Sequence, residues 1–157
     1  MPTPTYTALA NITLGTAASS ITFSSIPATY RDLVLVVNGT ESANQYIAVR
    51  YNSDTGSNYS YVRMTDGPAS ASGTETFGRL GVGNPMDRFL VIAQIMDYSA
   101  TDKHKTWLSR SNIPANFVGA IAGRWANTAA ITSVNVLTTT ADTYAIGTTF
   151  ALYGIAS

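Results

Sequence analysis

The chain has 157 residues, enough for one domain with a core of its own and no covalent staples. It contains no cysteine, which excludes a disulfide framework, a thiolate metal site and a cysteine nucleophile. Only 11% of residues are charged, with 9 Lys+Arg against 9 Asp+Glu, so the basic field that nucleic-acid binding requires is missing. A surface built from Ser, Thr, Asn and Tyr suits close contact with protein or sugar. A net charge of zero also does little to keep copies of the chain apart. No stretch approaches the ~18 apolar residues of a membrane-spanning helix. The opening Met1-Pro-Thr-Pro-Thr5 has neither a basic start nor an apolar run, so no secretory signal is expected. Without one, the glycan-acceptor triplets beginning at Asn11, Asn38 and Asn58 are read as coincidence in a chain rich in Asn and Thr.

Taken in order, Tyr6 to Leu14 is a short apolar–polar mixture that ends at Gly15 and reads as a first strand. Ser19 to Ser24 alternates, with Ile21 and Phe23 on one side, until Pro27 breaks the pattern. Leu33 to Val37 is apolar at both parities, which marks a strand covered on both faces or hidden by a subunit partner. A turn over Asn38 to Asn44 leads to the stretch Val49 to Met64, whose two ends alternate around Asn52-Ser-Asp-Thr-Gly-Ser-Asn58. That pattern predicts a β-hairpin with a polar tip in which Gly56 supplies a positive φ and Asn52 or Asp54 bonds the loop backbone. Thr65 to Thr74, dominated by Gly, Pro, Ser and Ala, reads as an exposed loop and a candidate contact arm.

Thr76 to Val82 is a short strand, and Arg88 to Tyr98 is the most apolar run of the chain. Its β-branched and aromatic residues favour a buried strand over a helix. A charged tip, Thr101 to Lys105, precedes the return strand Thr106 to Ser111. Asn116 to Ala126 places Phe117, Gly119, Ile121, Gly123 and Trp125 on one parity, and glycines between large residues predict a close backbone approach or a bend. Trp125 is expected in the core or at a subunit seam. Ile131 to Thr139 and Thr148 to Ile155 complete about ten short strands at spacings of roughly 8–12 residues. The reading is a single all-β domain over residues 1–157, a sandwich or barrel.

Candidate sites are few. Asn52, Asp54 and Asn58 alternate around Gly56 like part of an oxygen-ligand calcium loop, but Arg63 stands where a bidentate carboxylate would be needed. An Asx-rich turn accounts for them, and neither metal nor cofactor is expected. His104, the one histidine, sits among Asp102, Lys103 and Lys105 and reads as a solvated turn residue. No Gly-x-Ser-x-Gly elbow occurs, and the two glutamates, Glu41 and Glu75, flank expected loops like ordinary surface charges, so no enzyme is expected. Tyr46, Tyr51, Tyr59 and Tyr61 surround the central stretch. Hydroxyl-bearing rings serve sugar stacking, protein contact or cross-strand packing.

Four blocks carry a resemblance: Ile21-Thr-Phe-Ser-Ser-Ile-Pro-Ala-Thr-Tyr-Arg-Asp-Leu-Val-Leu35, Val49-Arg-Tyr-Asn-Ser-Asp-Thr-Gly-Ser-Asn-Tyr-Ser60, Trp125-Ala-Asn-Thr-Ala-Ala-Ile-Thr-Ser133 and Phe150-Ala-Leu-Tyr-Gly-Ile155. In this order they resemble a family of small virion structural proteins of tailed phages, frequent among phages of cyanobacteria and other aquatic bacteria. The blocks span nearly the whole chain, and Thr65 to Met86 lies outside them. The resemblance implies a jelly-roll-like antiparallel β-sandwich and a homo-oligomer on the particle, made in the host cytoplasm. Its foremost form is a trimeric knob that decorates or cements the capsid against the major capsid protein. It brings no catalytic residues. Similar sandwiches also serve as tail-fibre or tail-tip heads that bind host glycan, so capsid and tail both stay open.

Overall fold

The computed structural model describes residues 4–65, 70–114 and 117–156. Twelve antiparallel strands form two stacked sheets, and no helix occurs among the described residues. The strands are β1 (Tyr6–Thr13), β2 (Ser20–Phe23), β3 (Asp32–Gly39), β4 (Tyr46–Tyr51), β5 (Tyr59–Thr65), β6 (Ser70–Glu75), β7 (Gly78–Val82), β8 (Phe89–Met96), β9 (Lys105–Ile113), β10 (Phe117–Trp125), β11 (Val134–Thr138) and β12 (Thr149–Ile155). An eight-stranded sheet runs β1-β12-β3-β8-β9-β10-β5-β6, and a four-stranded sheet runs β2-β11-β4-β7. The chain passes back and forth between the layers. Only β5–β6, β8–β9 and β9–β10 join sequence neighbours within one sheet.

The expected all-β sandwich is therefore present, with two differences from the expected strand set. The stretch Val49 to Met64 is not a hairpin: β4 pairs with β11 and β7, whereas β5 pairs with β10 and β6. Its polar middle is a corner between sheets. Alternation on both flanks shows that each strand has one buried face, but it does not show that the two share a sheet. Of the expected loop Thr65 to Thr74, Thr65 ends β5 and Ser70 to Thr74 pair along β5 in β6, the outermost strand of the large sheet, while residues 66–69 lie outside the described residues. Small residues with little strand preference are held there by the ladder rather than by packing.

The core lies between the layers. Leu33, Leu35 and Val37 of β3, Phe89, Val91, Ala93 and Ile95 of β8, and Ile47, Val49 and Tyr51 of β4 have at most 1% of their surface exposed. Trp107 on β9 stands opposite β7, and two glycines admit it. A Cβ at Gly123 would lie 2.0 Å from the indole, and one at Gly78, across the sandwich, 2.7 Å from it. The glycine spacing in β10 thus marks a close approach, of a ring rather than of another backbone. Trp125, 1% exposed, lies in the same core.

Gly123→Ala should cost ~1–3 kcal/mol in urea unfolding, the scale of overpacking a tight core. Gly15→Ala, where nothing lies within 4 Å of the added carbon, is the matched control and should be nearly neutral. Equal midpoints for the two variants would show that the indole has room to move.

Candidate functional site

At the corner between β4 and β5, the left-handed conformation falls on Asn52 (φ 51°) and Ser53 (φ 58°), not on Gly56. The Asp54 N–H donates to the Tyr51 carbonyl at 2.9 Å and closes the turn. Asparagine tolerates this region, and here its carboxamide is fully used. Asn52 Oδ1 accepts from the N–H groups of Thr132 (2.8 Å) and Ser133 (3.1 Å), while Nδ2 donates to the Ala130 carbonyl at 2.7 Å. Asp54 Oδ1 accepts from Gly56 N–H at 2.8 Å, and Oδ2 accepts from Asn58 Nδ2 at 2.9 Å and from the Trp125 indole N–H at 2.6 Å. Partial burial pushes the Asp54 carboxyl up, yet the bonds from Trp125, Asn58 and Gly56 bring it below its ordinary value. Surrounded by donors, both oxygens face N–H groups where a cation would need lone pairs.

The four tyrosines divide into two pairs. Tyr51 and Tyr59 are buried, 0% and 1% exposed, with ring centroids 5.6 and 6.4 Å from that of Trp125. The Tyr51 N–H donates to the Tyr59 hydroxyl at 3.0 Å, so this pair belongs to the core and presents nothing to an outside ligand. Tyr46 and Tyr61 are half-buried where β5 and β6 extend past the edge strand β7. The Arg79 guanidinium lies 3.7 Å from the Tyr46 ring centroid and 4.7 Å from that of Tyr61, and the Tyr61 ring rests against Gly73. Glu75 holds Arg79 in a two-point ion pair. These rings are occupied by the protein's own cation.

The glutamates differ from surface charges in both cases. Glu75 is the partner of Arg79 near the start of β7. Glu41, only 2% exposed, packs on Gly83 just past the end of β7, and neither carboxylate oxygen has a hydrogen-bond partner. Burial, reinforced by the nearby Asp142 charge, raises its pKa to about 8. The Tyr144 hydroxyl, on the residue bridged to Glu41, is likewise buried without a partner. The sequence around Glu41 gave no sign of this, since Thr40-Glu-Ser-Ala-Asn44 is composed like any loop. His104 is exposed as expected. Its neighbour Lys105 is buried, and its ammonium donates to the carbonyls of Lys103 (2.9 Å) and Thr128 (3.1 Å). Among the described residues no three His, Cys, Asp or Glu side chains gather as a metal centre.

The largest uncovered feature is the outer face of the eight-stranded sheet. Alternate residues of β3, β8, β9, β10 and β5 point away from the core, and among the described residues no second layer lies over them. Of the seven large hydrophobic residues exposed among those described, five are here: Tyr6 57%, Val62 54%, Met64 62%, Leu108 55% and Val118 65%. Half-buried Val34, Val36, Leu90, Ile92 and Met96 continue the face. These are the outward parities of Leu33 to Val37, read as covered on both faces or hidden by a partner, and of the apolar run Arg88 to Tyr98, read as a buried strand; the described residues cover one side only. A shallow open depression of about 830 Å³ lies between Val62, Met96, Leu108, Ala122 and Arg124. A contiguous apolar area of this kind is the mark of an interaction surface.

No family model and no curated protein matches the chain. Among solved structures, a protein of unknown function from Shewanella oneidensis MR-1 is similar over 96% of this chain and 76% of its own, at 8% identity. The TM-score is 0.25, too low to carry an argument about fold or function.

Calcium or a chelator should leave the melting temperature unchanged in the wild type and in Asp54→Ala. The substitution itself should cost ~1–3 kcal/mol by leaving the buried Trp125 N–H unpaired. A calcium-dependent rise that Asp54→Ala abolishes would instead establish a metal loop.

Glu41 sets a pH dependence of definite sign. Its folded pKa lies above the 4.5 of the free side chain, so its contribution is fully present below pH 4.5 and is lost as pH rises toward and through about 8. The loss is on the order of a few kcal/mol. Thermal melts of the wild type should fall across this window, and Glu41→Gln should flatten the trend and be the more stable protein at pH 8. An unchanged slope in Glu41→Gln would assign the dependence to other groups.

Proposed function

We propose that the chain is a structural protein of a tailed-phage virion, a capsid decoration or cement protein that acts as a homo-oligomer, foremost a trimer, on the particle surface. The observation that carries this reading is the uncovered apolar face of the eight-stranded sheet in a chain with only 11% charged residues. Such a face, left in water, favours docking on the particle, and the charge-poor surface does little to keep copies of the chain apart. The four sequence blocks that resemble phage virion proteins support the same assignment. The role is architectural rather than catalytic. His104 stands in solvent, Glu75 is neutralised by Arg79, and Glu41 is buried at the opposite end of β7 from Glu75, so the two glutamates do not pair in a common cleft.

A tail-fibre or tail-tip head that binds host glycan is the other reading of the same resemblance. It depends on Tyr46 and Tyr61, and the Arg79 guanidinium over both rings competes with any sugar for their faces.

Electron microscopy of the virion should find the chain in many copies on the capsid, and light scattering at micromolar concentration should find an oligomer. A few copies at the tail together with measurable sugar binding would replace the decoration reading with the glycan one. A stable monomer in solution would remove the homo-oligomer.

A further inference from the structure

The outer face of the eight-stranded sheet is basic as well as apolar. Arg110 on β9 and Arg124 on β10 both point outward and are exposed, and neither side chain has a hydrogen-bond or ion-pair partner among the described residues. Asp32, a described carboxylate on the outward parity of β3, is engaged by Gln94, by Arg31 and by the Asp97 N–H. Arg110 sits beside Ile92 of β8 and Ala120 of β10, in the middle of the sheet. Arg124 is four residues beyond Ala120 on the neighbouring strand, which places the two Cα atoms about 14 Å apart at ~3.3 Å per residue.

A second copy of the chain fits this face poorly. Two-fold pairing about the middle of the face would bring Arg110 of one copy against that of the other, a like-charge contact inside an apolar interface. The back of the sandwich offers arginines too, Arg50 and Arg79 on β4 and β7. Buried Glu41 apart, only Asp87 and Asp102 among the described carboxylates lack a hydrogen-bond or ion-pair partner. They flank opposite ends of β8, about 23 Å apart along the strand, and do not match the arginine spacing. Nucleic acid fits no better, because tracking a phosphate backbone takes a run of cations rather than two in an apolar field.

We propose that this face docks a different protein, through an apolar surface that presents carboxylates opposite Arg110 and Arg124. The inference rests on the decoration reading, under which the partner is the shell protein and copies of the chain meet through other surfaces. The apolar residues around Leu108 supply the area, and the two arginines set orientation and select against uncharged or basic surfaces.

The test uses particles assembled without this chain, mixed with purified full-length protein and cosedimented at low and high salt. The same samples are measured by sedimentation velocity and thermal melting. Arg110→Glu with Arg124→Glu, and separately Leu108→Asn, should keep the wild-type melting temperature and oligomer size. Both should bind particles at least tenfold more weakly, and wild-type binding should weaken with salt. Arg110→Gln with Arg124→Gln serves if the reversed pair fails to fold. Unchanged particle binding by the charge variants overturns the inference and leaves the decoration reading standing. So does dissociation of the variants into smaller species, which would mean that copies of the chain cover the face. Wild-type protein that does not bind the particles at all overturns both.

Discussion

The indole of Trp107 fills the space between a glycine of one sheet and a glycine of the other, and the spacing of the two layers depends on it. Gly78 on β7 and Gly123 on β10 each leave out the carbon that would strike the ring. The indole N–H donates to the Arg79 carbonyl at 3.0 Å, which ties β9 to the short edge strand β7 through one side chain. Tyr51 meets the same ring edge-on at a centroid distance of 5.9 Å, and Trp125 and Tyr59 close the cluster behind it. Four rings from β4, β5, β9 and β10 therefore join both sheets at one end of the sandwich. Packed aromatics of this kind contribute beyond their buried area because edge and face are electrostatically complementary.

That cluster also explains the corner between β4 and β5. The chain must leave one sheet at Tyr51 and enter the other at Tyr59 with both rings inside, which demands a tight, well-bonded crossing. Asn52 and Asp54 provide it by bonding segments far away in sequence: Asn52 fastens the crossing to Ala130, Thr132 and Ser133, and Asp54 to Trp125. The polar side chains that look like ligands in the sequence are consumed in holding the fold. The same holds for Tyr46 and Tyr61, whose rings are taken by Arg79. Side chains with spare capacity lie elsewhere, on the outer face of the large sheet, where Trp107's own strand turns Leu108 and Arg110 to solvent.

Function and fold are thus assigned to opposite parities of the same strands. Along β9 the inward residues, Trp107, Ser109 and Ser111, carry the core, and the outward ones, Leu108 and Arg110, carry the surface proposed to bind. A rigid, twisted sheet makes such a surface pre-formed, so little conformational entropy is lost when something docks on it. Glu41 stands apart from this arrangement: a buried carboxyl beside the buried Tyr144 hydroxyl, held protonated near neutrality by its surroundings, ties the stability of the sandwich to pH.

The sequence by itself determined the all-β character, the positions of most strands and a close approach or bend along the glycine-spaced β10, and it left Trp125 in the core or at a subunit seam. All of these follow from local alternation, turn residues and residue size. It did not reveal β6, because Ser-Ala-Ser-Gly-Thr-Glu has no strand signature and is ordered by pairing to β5. Nor did it reveal that β4 and β5 part company. Partner choice is settled by contacts with β11, β7, β10 and β6, all of them distant in the chain. The burial of Glu41 was hidden for the same reason: the Gly83 and Tyr144 neighbourhoods that enclose it arrive from elsewhere. Apolar residues at both parities in Leu33 to Val37 and Phe89 to Met96 announced a second sticky surface. Only the tertiary structure showed that the described residues leave this surface uncovered and set within it two arginines that have no partner among them, because the order of strands decides which outward side chains become neighbours.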